Sequence, residues 1–291
     1  MHELKIPEHV IERVVARAGR PHPFDVITPA KTAFVVVDMQ NHFVKQGFPG
    51  EVPLARAIVP AINRLAAALR ERGGHVVWIK NTSHDTRESW STYHDWLMTP
   101  ERRDRRYASM ELGNEGHALW DALDVRSEDA QIVKTRFSAF IQGSSELEAH
   151  LRGRGIDTLL IGGTATQVCC ESTARDAMML NFKVVMVADA CATYDDATHN
   201  ASLAALYSNF TDLLAHTQQV GNDVVIGLGH TDQLVLENLT LGTLNSDDFK
   251  FTSTGSDLAS NFVAWGNLSG RTALADAAAT GTGLAWQHLA A

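Results

Sequence analysis

Cysteine is scarce in this sequence: three in 291 residues, two of them adjacent. Three thiols cannot make a disulfide framework, and the expectation is a reduced, intracellular protein. Long hydrophobic runs are missing too. No stretch approaches the length of a membrane span, and the first residues, Met1 to Glu8, contain no apolar core of a secretory leader. A cytoplasmic protein without a membrane partner is expected. Positive charge is also short: 25 Lys and Arg against 34 Asp and Glu give a net charge of −9, with a pI near 5.8. That balance argues against a nucleic-acid surface or a binder of anionic membranes. The remaining composition, 45% apolar and 20% charged, is that of a soluble globular protein with one substantial core and room for a second small unit.

What is present is a rhythm. Residues 1–30 are polar and punctuated by Pro21, Pro23 and Pro29, which predicts an N-terminal helix and a wrapping arm. Thr32-Ala-Phe-Val-Val-Val-Asp38 is a nearly unbroken apolar run ending on a carboxylate, the pattern of a parallel strand buried on both faces. Ile58, Ile62, Leu65 and Leu69 at helical spacing predict a helix over 54–72, stopped by Gly73-Gly74. Further strands are predicted at 75–80, 131–134, 158–162, 183–188 and 212–215, and helices at 144–154, 166–181 and 195–209. This alternation specifies an α/β protein with a doubly wound, mostly parallel sheet flanked by helices on both faces. Ligands of such folds sit at the carboxyl ends of the strands, near the switch point.

Two regions break the rhythm. Residues 81–120 set Trp90, Tyr93 and Trp96 among many charges, including Glu101-Arg-Arg-Asp-Arg-Arg106. They read as a solvated excursion with a few aromatic anchors, a substrate lid being the alternative. Beyond His216 come short β strands at 223–230, 233–240 and 248–252, then small residues. That tail has seven Asp and Glu against one Lys and one Arg. The expected division is residues 1–217 as the main domain and 218–291 as an acidic, β-rich appendage ending in a loosely held C-terminus. Residues 223–251 look similar to the β-rich segments that follow calcium-binding repeats in repeat-in-toxin proteins. The Gly-Gly-x-Gly-x-Asp repeats are absent, and no calcium site is predicted.

The stretch with most chemistry is Ile161-Gly-Gly-Thr-Ala-Thr-Gln-Val-Cys-Cys-Glu-Ser-Thr-Ala-Arg175. A buried strand runs through a Gly/Thr turn into a helix whose first turn holds Cys169. Unpaired backbone N–H groups and the positive end of a helix dipole meet a thiol there, conditions that favour a thiolate and can hold an oxyanion. Asp38, Lys134 and Cys169 all fall at strand ends on one edge of the sheet. The carboxylate can take the thiol proton and return it to a leaving amine. The ammonium keeps that carboxylate poised and favours the thiolate. The N–H of Cys169, with another from the preceding turn, can bind a tetrahedral oxyanion. Singly, each residue has an ordinary explanation as a turn carboxylate, a solvated lysine or a packing cysteine. Together, at equivalent positions, they read as a site. Cys170 falls on an apolar stripe with Ala174, Ala177 and Met178 and should face the core, whereas Cys169 lies about 100° around the helix, off that stripe. Cys191 reads as structural.

At these residues the chain closely resembles the isochorismatase-like cysteine hydrolases, the family of nicotinamidases, N-carbamoylsarcosine amidases and ureidoacrylate hydrolases. The matching pieces are Val35-Val-Val-Asp-Met-Gln-Asn41, Lys134-Thr-Arg-Phe-Ser-Ala-Phe140, Gly163-Thr-Ala-Thr-Gln-Val-Cys169 with Glu171-Ser-Thr-Ala-Arg-Asp176, and Ala188-Asp-Ala-Cys-Ala-Thr193, in order over residues 30–215. The resemblance implies Asp38, Lys134 and Cys169 as a catalytic triad. It implies a cis peptide at Thr164–Ala165, with the N–H groups of Ala165 and Cys169 as the oxyanion hole. A six-stranded sheet and assembly into a homodimer or homotetramer are implied as well.

The expected reaction is hydrolysis, without a cofactor, of a C–N bond in a small carboxamide or ureido compound through a thioester. Gln40, Asn41 and Phe43 are expected in the pocket, Arg136 as a clamp for a substrate carboxylate, and the aromatics of 90–96 as a roof from this chain or a neighbouring subunit. Family members that hydrolyse the vinyl ether of isochorismate lack the cysteine, so Cys169 points to an amide or ureide. Metal-binding nicotinamidases have an Asp-x-His pair after the second strand. This chain reads Asn81-Thr-Ser-His-Asp85 there, so no metal is expected, and His42 and His84 read as surface or hydrogen-bonding residues. Two rivals stand beside this reading. A vinyl-ether hydrolase would keep its activity in Cys169→Ala. A non-catalytic oligomeric binding scaffold would have a Cys169 no more reactive than a free thiol of pKa ~8.5.

Overall fold

The computed structural model describes residues 1–24, 27–220, 223–229, 232–236 and 249–252. Strands β1 (Thr32–Val37), β2 (His75–Asn81), β3 (Ala130–Lys134), β4 (Thr158–Thr164), β5 (Lys183–Ala192) and β6 (Asp212–Leu214) form one sheet in the order β3-β2-β1-β4-β5-β6. Every neighbouring pair is parallel. This is the doubly wound six-stranded sheet that the rhythm and the resemblance lead one to expect.

Both β1 and β4 are buried at every residue, which is why their sequences are apolar or small throughout rather than alternating. Period two survives in where the side chains go. Phe34 and Val36 pack with Trp78 against Ile58, Ile62 and Leu65 of helix α3 (Ala55–Glu71) on one face. Ala33, Val35 and Val37 face the other layer, where they meet a core built from helix α1 (Glu8–Ala18), helix α6 (Glu171–Met179) and helix α7 (Asp196–Asn209). The strand order places β1 beside β4, and a crevice opens outside their carboxyl ends as it does at switch points generally.

One glycine sets how close those two strands come. Gly163 has φ 117°, and a Cβ there would lie 2.0 Å from the Val37 carbonyl oxygen. Gly163→Ala is therefore expected to cost on the order of 2–5 kcal/mol of stability, combining backbone strain with overpacking. A urea titration followed by circular dichroism would read this as a lowered midpoint; an unchanged midpoint would contradict the close approach.

Several elements differ from expectation. Residues Thr166–Cys170 form a π-helical turn ahead of α6, so Cys169 precedes the regular helix instead of riding on it. The charged excursion of 81–120 contains helix α4 (Pro100–Met110), preceded by a π-helical turn at Thr92–Trp96. Thr99 caps α4, its hydroxyl accepting the Arg102 N–H at 3.3 Å, and Pro100 supplies the first helical φ. Beyond the main sheet, β7 (His216–Val220), β8 (Asp223–Gly229), β9 (Asp232–Leu236) and β10 (Phe249–Thr252) pair antiparallel in the order β10-β9-β8-β7. Strand β7 straddles the expected boundary at 217/218. His230, residues 237–240, Asp248 and everything after Thr252 lie outside the described residues, as does the expectation of a loosely held C-terminus. No helix among the described residues is long and apolar enough to cross a membrane.

Candidate active site

Asp38 follows directly on β1 in the left-handed region, with φ 53°. Its N–H donates to the Ile79 carbonyl at 3.0 Å and its carbonyl accepts from Thr164 Oγ1 at 3.2 Å, so the neighbouring strands hold it from both sides. Lys134, the last residue of β3, reaches across β2 to place Nζ 2.8 Å from Asp38 Oδ2 and 3.0 Å from the Arg136 carbonyl. Both side chains of this ion pair are 0% exposed. Burial alone would depress Lys134, but the facing Asp38 and Cys169 outweigh it and hold the ammonium above its ordinary value. Asp38 Oδ1 is buried and has no hydrogen-bond partner among the described residues.

Cys169 lies in the turn after β4, 6% exposed and facing this pair. Burial and the Asp38 carboxylate push its thiol up to about 12, against the opposing pull of Lys134 and Arg106. That corrects the expectation that the turn favours a resting thiolate: a desolvated sulfur beside a carboxylate keeps its proton at neutral pH. The Thr164–Ala165 peptide is cis. Within the turn, the N–H groups of Val168 and Cys170 donate to the Ala165 carbonyl at 3.0 and 3.3 Å. Cys170 and Cys191 lie against one another in the core.

The cavity in front of Cys169 measures about 220 Å³, smaller than the roughly 300–1,000 Å³ of pockets for drug-sized ligands. Cys169, Ala165, Val168, Phe137, Phe43 and His42 line it, together with Asn81, Tyr93, Met98, Arg102 and Arg106. Phe43 is thus part of the wall. Gln40 is not in the wall. Its amide donates to the carbonyls of Asn81 and His117 at 2.9 and 3.0 Å and accepts the Asn81 N–H at 2.7 Å, so it is a buried strut under the site. Asn41 turns away to the Glu115 carbonyl at 2.9 Å. Arg136 is engaged elsewhere as well, on the carbonyls of Ser89 and Thr135 and over the Trp90 ring. Of the expected aromatic roof, Tyr93 lines the cavity, Trp90 stacks on it at 4.4 Å, and Trp96 is 83% exposed.

The residues that sequence reasoning missed come mainly from α4 and from His42. His42 is buried, with Nδ1 2.8 Å from Ser109 Oγ. His199 of α7 sits 3.0 Å from the Thr166 hydroxyl and stacks on His2 at 4.1 Å, behind the turn that holds Cys169. Burial pushes both His42 and His199 down to about 3, further lowered by Arg106 and His2 respectively. Held below the ordinary 6.5, each stays neutral in the folded chain while the unfolded chain takes up a proton. Stability is therefore full above pH 6.5 and falls as pH drops toward 3, by about 1.4 kcal/mol per pH unit per histidine. Urea unfolding between pH 4 and 6 is expected to show this slope, and His199→Asn to reduce it by about one proton; an unaltered slope would refute the buried neutral imidazole. Among the described residues, no group of three or more His, Cys, Asp or Glu side chains is placed to hold a metal ion.

A doubly wound sheet with a buried ion pair and a thiol at the carboxyl ends of its strands belongs to an α/β enzyme with its cleft at the switch point. More narrowly, the chain belongs to the isochorismatase family of hydrolases, whose domain model matches residues 32–218. It is 34% identical over 174 residues to a protein of Arabidopsis thaliana named a probable inactive nicotinamidase, covering 59% of this chain and 86% of that one. It is 34% identical over 209 residues to a ureidoacrylate amidohydrolase RutB of Methylorubrum extorquens, covering 66% of this chain and 79% of the relative. Among solved structures, a cysteine hydrolase from Pseudomonas syringae pv. phaseolicola superposes with a TM-score of 0.55 at 26% identity, covering 64% of this chain and 89% of that one.

Proposed function

We propose that the protein is a cysteine amidohydrolase that cleaves a C–N bond of a small carboxamide or ureido compound through a thioester, without a cofactor. The observation that supports this most is that Cys169, which lines one small cavity, lies against the buried Asp38–Lys134 pair. The relative named a ureidoacrylate amidohydrolase points to the same bond type.

Because the thiol rests protonated, proton transfer and attack belong to one event. Asp38 takes the thiol proton as sulfur bonds to the substrate carbonyl carbon, and the carbonyl π electrons move to oxygen. The N–H groups of Ala165 and Cys169 are assigned to that oxyanion. When the intermediate collapses, the C–N bond breaks and Asp38 returns its proton to the leaving nitrogen, which departs as ammonia or an amine. A water then attacks the thioester, giving one proton to Asp38 and its hydroxyl to the carbonyl carbon. Collapse of this second intermediate frees the acid, and Cys169 regains its proton. Lys134 Nζ, 2.8 Å from Asp38 Oδ2, balances the charge of the carboxylate between transfers. All of these groups fall within residues 1–217, the part we assign to the hydrolase domain.

Ammonia release over a panel of primary amides and ureides tests the reading. Turnover that vanishes in Cys169→Ser supports it; turnover that survives in Cys169→Ala would favour vinyl-ether chemistry instead, and no turnover on any member would remove the amidohydrolase assignment.

A further inference from the structure

The charge on the cavity wall is unbalanced. The chain as a whole has a net charge of −9, yet among the described residues no Asp or Glu lines the cavity, whereas Arg102 and Arg106 both do. They stand four residues apart on α4 and so share one face of that helix. Arg103 on the same helix, by contrast, pairs with Asp95 and Asp104. Arg106 has no carboxylate partner among the described residues. It is 8% exposed, its Nη2 donates to Asn81 Oδ1 at 2.9 Å, and its guanidinium carbon lies 5.7 Å from the Tyr93 ring centre. Its Nε is buried and without a hydrogen-bond partner. Asp38, which faces Cys169, is already neutralised by Lys134.

A guanidinium desolvated to this degree, with one neutral oxygen for company, is costly unless an anion completes it. The planar fork of an arginine suits a carboxylate, which accepts two parallel N–H bonds. Arg106 sits close enough to the nucleophile to act on its thiol, so an anion on Arg106 and a carbonyl on Cys169 would belong to one short molecule. Arg102, exposed at the rim on the same helix face, adds a second positive charge along the approach.

We infer that Arg106 is the residue that selects the substrate, and that the substrate is a small carboxylate-bearing amide or ureide whose carboxylate rests on the Arg106 guanidinium while its carbonyl meets Cys169. This rests on the amidohydrolase reading for the second half of the statement only. The anion site is the part that belongs to Arg106, in place of the clamp expected at Arg136.

The test uses the full chain and two matched pairs of probes, N-carbamoylglycine and 3-ureidopropionate, each against its uncharged primary amide. Binding is measured by calorimetry in Cys169→Ser, where turnover cannot interfere, and ammonia release in the chain with Cys169 intact. The acids are expected to bind at least tenfold more tightly than the amides. Arg106→Gln is expected to abolish that preference, weakening the acids by 10²-fold or more while leaving the neutral probes within a few-fold. Arg106→Lys, which keeps the charge in case the glutamine variant folds poorly, should retain part of the preference. Arg102→Gln, at the exposed rim, should weaken the acids only a few-fold. Acids that bind in an Arg106-dependent manner but release no ammonia would uphold the anion site and remove the amidohydrolase reading. Hydrolysis of the neutral probes at least as good as that of the acids, or equal losses for both in Arg106→Gln, would overturn the Arg106 assignment while leaving the hydrolase intact. An absence of any Arg106-dependent binding overturns it whatever the turnover.

Discussion

Asp38→Asn is expected to slow turnover by roughly 10²–10⁴-fold while making Cys169 easier to alkylate, two changes of opposite sign from one substitution. The first follows from removal of the carboxylate that the cavity's nucleophile faces. The second follows from the thiol's position near 12, to which Asp38 contributes after burial itself, while Lys134 and Arg106 pull the other way. With the carboxylate gone, the buried ammonium is left to favour the thiolate, and each unit by which the thiol falls raises its reactive fraction about tenfold. Iodoacetamide labelling at pH 8–9, read by intact mass, measures one arm, and ammonia release measures the other. The asparagine keeps an oxygen for Lys134 Nζ, but uncoupling a fully buried pair still costs about 3–5 kcal/mol, so both arms are read on protein whose far-ultraviolet dichroism matches the parent. Turnover within tenfold of the parent would show that Asp38 is not the base. Loss of labelling together with turnover would point to a collapsed site.

Cys169→Ser should reduce ammonia release by about 10⁴-fold or more, since an alcohol cannot replace the thiol whose proton Asp38 is positioned to take. The substitution removes little volume from a site already 6% exposed, so the thermal midpoint should move by only a degree or two. Acid quenching of the parent enzyme during turnover should give a mass increase equal to the acyl group on the peptide containing Cys169, absent in the serine variant. A serine variant that retained a tenth of the activity would exclude the thioester route.

The main sheet is legible in the sequence because its strands are buried on both faces. Thr32–Val37 and Thr158–Thr164 have no polar side to blur the signal, and the chemistry is marked by the coincidence of a carboxylate, a lysine and a thiol at strand ends, each of which alone has an ordinary explanation. Asp38 and Lys134 can be read as partners only because parallel topology brings positions 96 residues apart to one edge. Helix α4 is a different case. It buries only Arg106 and Met110, so no apolar stripe announces it, although Thr99-Pro100-Glu101 spells a capped helix start. The roles of Gln40 and Arg136 could not be inferred from residue type, because an amide or guanidinium serves equally as a strut or a ligand. What decides is whether backbone carbonyls from elsewhere reach it first. Those of Asn81 and His117 occupy Gln40, and that of Ser89 occupies Arg136.

The position of α4 has a consequence for how such an enzyme is altered. The groups proposed to break the bond stand on strands and on the turn after β4, elements tied into the sheet by their own backbone ladders. The two arginines that charge the cavity wall come from a separate excursion of the chain between β2 and β3. On the proposed roles, reaction and recognition are written on different segments. Exchanging residues 84–117 for a segment of other composition would re-address the enzyme to new molecules without rewriting what it does to them. Swapping the strand ends would do the reverse.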